Sequence, residues 1–242
     1  ISVTKQMNNN LAITIPTYNR AEFLDYSLKV HIPLARELGV PIYVSDNNSS
    51  DETFEVVQKW MKTYEYLFYS KNEINLGPDV NFKLSFNLSE AKYIWLIADT
   101  SEISPKVFKS IVEQTEANYD LIILNEEGRV TNFESQIIDD RDILLTNLGW
   151  HITQIACMLY SKELIKNTDF SIYEDTRFIH VGGVFKFFAT KDSIHVKWNQ
   201  NLGIGRLTFK GLGKEGWQAE TLDIWLRKWP NFVLSLPPIY TT

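Results

Sequence analysis

Three short stretches place polar residues directly after apolar runs, where a folded chain can present them to a ligand: Pro16-Thr17-Tyr18-Asn19-Arg20, Asp46-Asn47-Asn48-Ser49-Ser50-Asp51 and Asn75-Leu76-Gly77-Pro78. A carboxylate at the end of a strand can accept a hydrogen bond from the ring N–H of a pyrimidine, and Asp46 has that place. The same residue can instead open the turn that caps the next helix, the role expected of Asp51. Pro16 fixes the direction of the chain and would lay backbone groups of Pro16 and Thr17 along a flat base. At Asn75 to Pro78 the glycine allows close approach of backbone to a ligand; the alternative is an ordinary loop whose Asp79 caps the following helix. Arg20 reads as the solvated first turn of a helix. His31, His151 and His195 have no ligand spacing, which argues against zinc.

These residues need strands and helices to hold them. Leu11 to Ile15 is apolar and partly β-branched and reads as a buried strand closed by Pro16, followed by a helix from Ala21 to Leu38 that stops at Gly39. A second strand spans Pro41 to Ser45, with a helix from about Glu52. A third strand covers Tyr66 to Tyr69, a helix Val80 to Leu88, and a fourth strand Tyr93 to Ala98, running into Asp99. Alternation of this kind predicts an α/β fold with a Rossmann-like, mostly parallel sheet flanked by helices. Ligands bind beyond the carboxyl ends of such strands, so Thr17 to Arg20, Asp46 to Asp51, Asn75 to Asp79 and Asp99 to Glu102 are expected to converge.

After a helix at Pro105 and a strand at Leu121 to Leu124 the alternation fails. A mixed half follows, with a strand expected around Gln154 to Tyr160, a helix start at Ser161 to Ile165, an apolar segment Phe178 to Phe188 and a strand near Ile194 to Trp198. Expected boundaries are 7–103, 104–210 and a C-terminal loop and helix at 211–242, within one compact domain. Met7 reads as a natural start, leaving Ile1 to Gln6 as an added leader, and Thr242 just after Pro237-Pro238 reads as an interruption of a longer chain.

The formal net charge of -6 among 242 residues speaks against nucleic-acid binding, which needs a basic surface. Cys157 is the only cysteine, which leaves no intrachain disulfide and fits a reducing, cytoplasmic setting. No run approaches the roughly 20 apolar residues of a membrane span.

Together with Val44-Ser45 before Asp46 and the fourth strand Trp95-Leu96-Ile97-Ala98-Asp99-Thr100-Ser101, the three stretches resemble the nucleotide-binding half of bacterial family 2 glycosyltransferases. Those are inverting enzymes of the GT-A fold that build surface polysaccharides such as O antigens. The likeness fades after Ser104. It implies that Pro16, Thr17, Tyr18, Asn19, Asp46, Asn75, Gly77, Ala98, Asp99 and Thr100 hold a nucleotide-sugar, with a UDP-sugar the commonest type and dTDP- or CDP-sugars as alternatives. It also implies a glycan, glycoprotein or lipid-linked sugar as acceptor, and a cytoplasmic enzyme in peripheral contact with the inner face of the membrane. Trp217, Trp225, Trp229 and Phe232 with Arg227 and Lys228 would then pack as core or lie on that membrane.

The family's Asp-x-Asp triplet holds Mn2+ or Mg2+ against the sugar diphosphate. Here it reads Asp99-Thr100-Ser101, so the metal positions are Asp99 and Ser101 and one carboxylate is missing. Asp99 alone can suffice for a cation bound mainly through phosphate and water. Glu102 is one substitute, and neutralisation by Arg206, Lys210 and Lys214 is another. The family's catalytic base comes from an acidic pair in the second half, which Glu174-Asp175 resembles: Asp175 is the expected base, with His180 as the alternative base or metal ligand. Glu174-Asp175 could equally be a surface turn. Thr153 and Gln154 are candidate sugar contacts. Gly211-Leu212-Gly213-Lys214-Glu215-Gly216 matches a dinucleotide-binding pattern by letter but lacks the preceding strand, and reads as a loop closing over the donor diphosphate.

Two other classes remain in view. The depleted triplet motivates a non-catalytic nucleotide- or glycan-binding module. A nicotinamide-dependent oxidoreductase is disfavoured because the first strand leads into Pro16-Thr17-Tyr18-Asn19 rather than a glycine-rich turn.

Overall fold

A computed structural model describes residues 5–207 and 220–240. Its first half follows the expected alternation: β1 (Leu11–Thr17), α1 (Ala21–Leu38), β2 (Ile42–Asp46), α2 (Thr53–Met61), β3 (Leu67–Lys71), α3 (Pro78–Ser85) and β4 (Tyr93–Leu96). β1 continues through Pro16, which sequence had taken as its end. The reason lies in the ladder. Pro16 turns its nitrogen to the β4 side, as Thr14 does, and β4 stops at Leu96 opposite Thr14, so no ladder bond is lost.

The second half runs β5 (Ser101–Glu102), α4 (Pro105–Gln114), β6 (Leu121–Glu126), β7 (Gln136–Ile138), α5 (Arg141–Leu148), β8 (Met158–Ser161), α6 (Lys162–Lys166), α7 (Ile179–Phe188) and β9 (Val196–Arg206). A last helical stretch comprises α8 (Thr221–Asp223), a π-helical turn (Ile224–Lys228) and α9 (Trp229–Leu234). The strand expected at Gln154 to Tyr160 is confined to β8; the residues before it form 3-10 turns, His151–Thr153 and Ile155–Cys157. There the buried His151 ring bonds the Leu124 carbonyl through Nε2, at 2.8 Å.

The strand order is β3-β2-β1-β4-β8-β6-β9-β5, with β7 also on β9. The first four strands are parallel, β8 runs against both neighbours, and β9 is parallel to β6. Central strands alternate between two buried faces: Tyr93 and Trp95 join Leu11, Ile13 and α1, while Ile94 and Leu96 join Ala12 and the α7 side. No helix of the described residues is long and apolar enough to cross a membrane.

α7 docks through two glycines. A Cβ on Gly182 would lie 2.3 Å from the Tyr173 ring, and one on Gly183 2.1 Å from the Phe170 ring. Both rings belong to the 3-10 turn Phe170–Tyr173 that leads into Glu174-Asp175. Gly183→Ala is therefore expected to destabilise the protein by about 1–3 kcal/mol through overpacking. Urea unfolding should show a lower midpoint at unchanged slope; an unmoved midpoint would mean that the Phe170 turn yields freely.

Candidate active site

The loops at the carboxyl ends of β1 to β4 do converge. Asn47 donates its backbone N–H to Thr17 O (2.9 Å) and its Nδ2 to Asn75 Oδ1 (2.8 Å) and Gly77 O (3.2 Å). Asn19 N donates to Ser49 Oγ, and Asn19 Oδ1 accepts from Ser50 N, both at 2.8 Å. Asn19 and Asn48 have φ of 51° and 67°, a region that asparagine tolerates. Asp51 serves two helices: Oδ2 accepts from Ala21 N at the start of α1 (2.9 Å) and Oδ1 from Thr53 N at the start of α2 (3.2 Å).

Beside this knot lies a cavity of about 460 Å³. Arg20 enters it from the β1–α1 loop, Ala98, Asp99 and Thr100 from the end of β4, and Pro78, Asp79 and Phe82 from α3. Thr153 and Gln154 come from the 3-10 turns, Arg177, Phe178 and His180 from the entry to α7, Arg206 from β9, and Trp225 from the π-helical turn; Arg129 also lines it. Four arginines and the carboxylates of Asp79 and Asp99 thus line it, and guanidiniums suit the oxygens of a diphosphate.

Each arginine is held. Arg20 Nε bonds Asp99 Oδ2 at 2.7 Å, and its guanidinium lies 4.0 Å over the Phe23 ring. This corrects the reading of Arg20 as merely solvated. Arg129 and Arg206 share Glu126, at 3.0 and 2.7 Å. Burial alone would raise the Glu126 carboxyl, but the two guanidiniums outweigh it and hold the group below the usual range. Arg177 grips both oxygens of Glu220 at 2.7 Å. A guanidinium has five N–H donors, so such partners orient an arginine without exhausting it.

The cavity gathers Ala98, Asp99, Thr100, Thr153, Gln154, His180, Arg206 and Trp225 from the residues singled out by sequence. Asp46 is fully buried, with Oδ1 accepting from Ser49 N (2.7 Å) and Oδ2 from Tyr69 OH (2.5 Å). Burial first, and then this bond, push the Tyr69 phenol well above its ordinary range. Thr17 is buried, Tyr18 is 42% exposed, and Asn75 accepts from Gly77 N. Gly77 adopts φ 79°, ψ 165° with open space around it, so the backbone angle demands glycine rather than any contact within the protein. Ser101 is buried in β5, its Oγ accepting from Ala98 N at 3.2 Å.

Glu174 is ion-paired with Lys83, and Asp175 is exposed at φ 64°. His180 donates Nε2–H to Thr153 O at 3.1 Å, and burial lowers its pKa to about 4. A ring so reluctant to charge presents its neutral form to the cavity. Lys210, Lys214, Trp217 and the Gly211 to Gly216 loop lie outside the described residues.

Sequence reasoning missed Asp79, Arg129 and Arg177. The sequence offers Asp79 as a helix cap only as the alternative reading of its loop, and in the fold Gly77 holds the cap position of α3 and Pro78 the first turn. That proline, which needs no cap partner, was the available signal. Arg129 sits in a turn with no pattern around it.

Among the described residues no group of three or more His, Cys, Asp and Glu side chains is placed to cage a metal. The donor set, Asp99 alone of the triplet, fits a divalent cation that arrives with phosphate oxygens and water.

A mostly parallel sheet with β5, β7 and β8 reversed, and an Asp99-centred cavity at its carboxyl edge, define the GT-A class. Glucosyl-3-phosphoglycerate synthase of Mycobacterium tuberculosis, solved with Mn2+, UDP and glucosyl-3-phosphoglycerate, superposes with a TM-score of 0.63 at 16% identity, covering 94% of this chain and 80% of that one. The chain belongs to glycosyl transferase family 2, whose model matches residues 12–169. It is 25% identical over 191 residues to abequosyltransferase RfbV of Salmonella typhimurium, covering 78% of this chain and 54% of that protein. It is 22% identical over 173 residues to the GalNAc(5)-diNAcBac-PP-undecaprenol beta-1,3-glucosyltransferase of Campylobacter jejuni, covering 66% of this chain and 54% of that one. The chain thus spans about half the length of the curated relatives it matches.

Proposed function

We propose that the chain is the transferase domain of an inverting glycosyltransferase, taking a sugar from a nucleotide-sugar, a UDP-sugar in the first place, to a glycan or lipid-linked acceptor in surface-polysaccharide assembly. The observation that carries this reading is the cavity in which Asp99 and four arginines meet at the carboxyl edge of a family 2 sheet. Relatives that transfer abequose or glucose, the latter to an undecaprenol-linked glycan, support the acceptor class. Exposed Leu222, Trp225 and Leu226 beside Arg227 and Lys228 support contact with a membrane carrying such an acceptor.

In the reaction an acceptor hydroxyl oxygen attacks the anomeric carbon, the bond from that carbon to the diphosphate breaks, and the nucleoside diphosphate leaves with the electron pair. The hydroxyl proton goes to Asp175, in the loop between the 3-10 turn Phe170–Tyr173 and α7. Arg20, Arg129, Arg177 and Arg206 offset charge on the leaving group. Asp99 would hold a divalent cation, Mn2+ or Mg2+, which when bound supplies further charge neutralisation at the diphosphate. The Pro16 to Asn19 segment, Asn75 and Gly77 wall the base, and the buried Asp46 holds the loop that follows β2 through Ser49 N–H.

Thermal unfolding with UDP, GDP, CDP, dTDP and their sugar conjugates, each with manganese or with EDTA, tests this reading, because a ligand of the folded state raises its melting temperature. The expected result is stabilisation by one nucleotide class, larger with manganese. Absence of a shift with every nucleotide would overturn the reading.

A further inference from the structure

The cavity wall contains a carboxylate that the scheme above does not employ. Asp79 is 5% exposed, and its Oδ2 accepts the backbone N–H of Arg177 at 2.9 Å. Its Oδ1 is buried with no hydrogen-bond partner among the described residues. A buried acceptor left unpaired is costly, and sites that keep one generally meet it with a ligand or water. Capping does not explain the residue, since α3 has no side-chain cap bond. Ion pairing does not explain it either, since its one hydrogen bond comes from backbone and the Arg177 guanidinium is engaged by Glu220.

The surroundings indicate what the partner is. Pro78, Phe82, Phe178 and Trp225 line the same cavity as Asp79. A carboxylate among apolar and aromatic faces matches a pyranose, which offers hydroxyl donors at its rim and C–H groups on its faces. A nucleobase or diphosphate fits less well: the phosphate would be repelled, and the arginines already answer it. Burial pushes the Asp79 carboxyl up to about 6 despite the Arg177 bond.

We propose that Asp79 is a specificity-determining residue of the transfer, its Oδ1 accepting one hydroxyl of a pyranose seated in the cavity. The assignment rests on the transferase reading. The pyranose is either the sugar being transferred or the acceptor sugar, and the chemistry at Oδ1 is the same for both.

The test uses the full chain and Asp79→Asn, which keeps the shape and an oxygen for Arg177 N–H but turns an NH2 donor toward the cavity. Asp79→Ser serves if the first variant folds poorly. Titration with UDP, UDP-glucose, UDP-galactose and UDP-N-acetylglucosamine gives the affinity of each conjugate relative to UDP; saturation-transfer NMR of the UDP-loaded protein with methyl glucopyranosides and galactopyranosides reports acceptor-side binding. Loss of a charge-assisted bond should cost tenfold or more in affinity. If that loss falls on a conjugate while UDP binds as before, Asp79 reads the transferred sugar. If it falls on a methyl glycoside, Asp79 reads the acceptor. Equal loss of UDP and its conjugates, or no sugar-dependent change in either experiment, overturns the proposal. A wild-type chain that binds no nucleotide in the wider thermal panel overturns the transferase reading itself, so the two failures are distinct.

Discussion

Asp175→Asn is expected to lower the rate of sugar transfer by about 10²–10⁴-fold, the usual share of a general base, while leaving nucleotide-induced stabilisation intact. The amide is nearly isosteric but cannot take the proton that the acceptor hydroxyl must lose. Its exposed position makes the test clean, because no packing is disturbed, and the left-handed backbone at φ 64° is one that asparagine accepts readily. Transfer is the measurement, with folding checked by thermal unfolding. A variant retaining wild-type turnover would remove Asp175 from the chemistry and leave Asp79 and Asp99 as the carboxylates lining the cavity. Should wild type and variant both bind donor and neither turn it over, the non-catalytic alternative would regain its standing.

The second large effect is expected at Asp99→Ala. Asp99 is buried, bonded to Arg20 at 2.7 Å, and the only carboxylate of its triplet. Removing it should lower kcat/KM by about 10²–10³-fold, the scale of losing one electrostatic group at the reacting centre. The more telling readout is metal dependence. In EDTA the variant should bind UDP at least as well as wild type, because Arg20 no longer shares its charge with a carboxylate. With manganese the increment seen in wild type should vanish. Survival of that increment would move the cation to another group, Glu102 being the nearest acidic residue in sequence.

Much of the first half was legible because β1, β2 and β4 are largely buried on both faces and each loop carries its own turn chemistry. Leu11 to Ile15 and Tyr93 to Leu96 can be nothing but central strands, and Asp51 caps as its position predicts. The second half resisted for physical reasons. Phe178 to Phe188 is apolar but for His180 and Lys186, so its helix shows little amphipathic period, and the segment before β8 is a buried turn that resembles a strand in composition alone. The cavity was harder still. Arg129 and Arg206 owe their meeting to Glu126 at the end of β6, and Asp79 meets Arg177 across 98 residues of chain. No local pattern encodes such pairings.

One further property follows from the packing of the C-terminal helix. Trp225 borders the cavity at 39% exposure, with the Phe178 ring 6.1 Å away, whereas Trp95 and Trp198 are fully buried. A sugar seated against that indole would displace its water and shift its emission to the blue, and a Trp225→Phe variant would separate that signal from Trp150, which is 42% exposed beside Arg129.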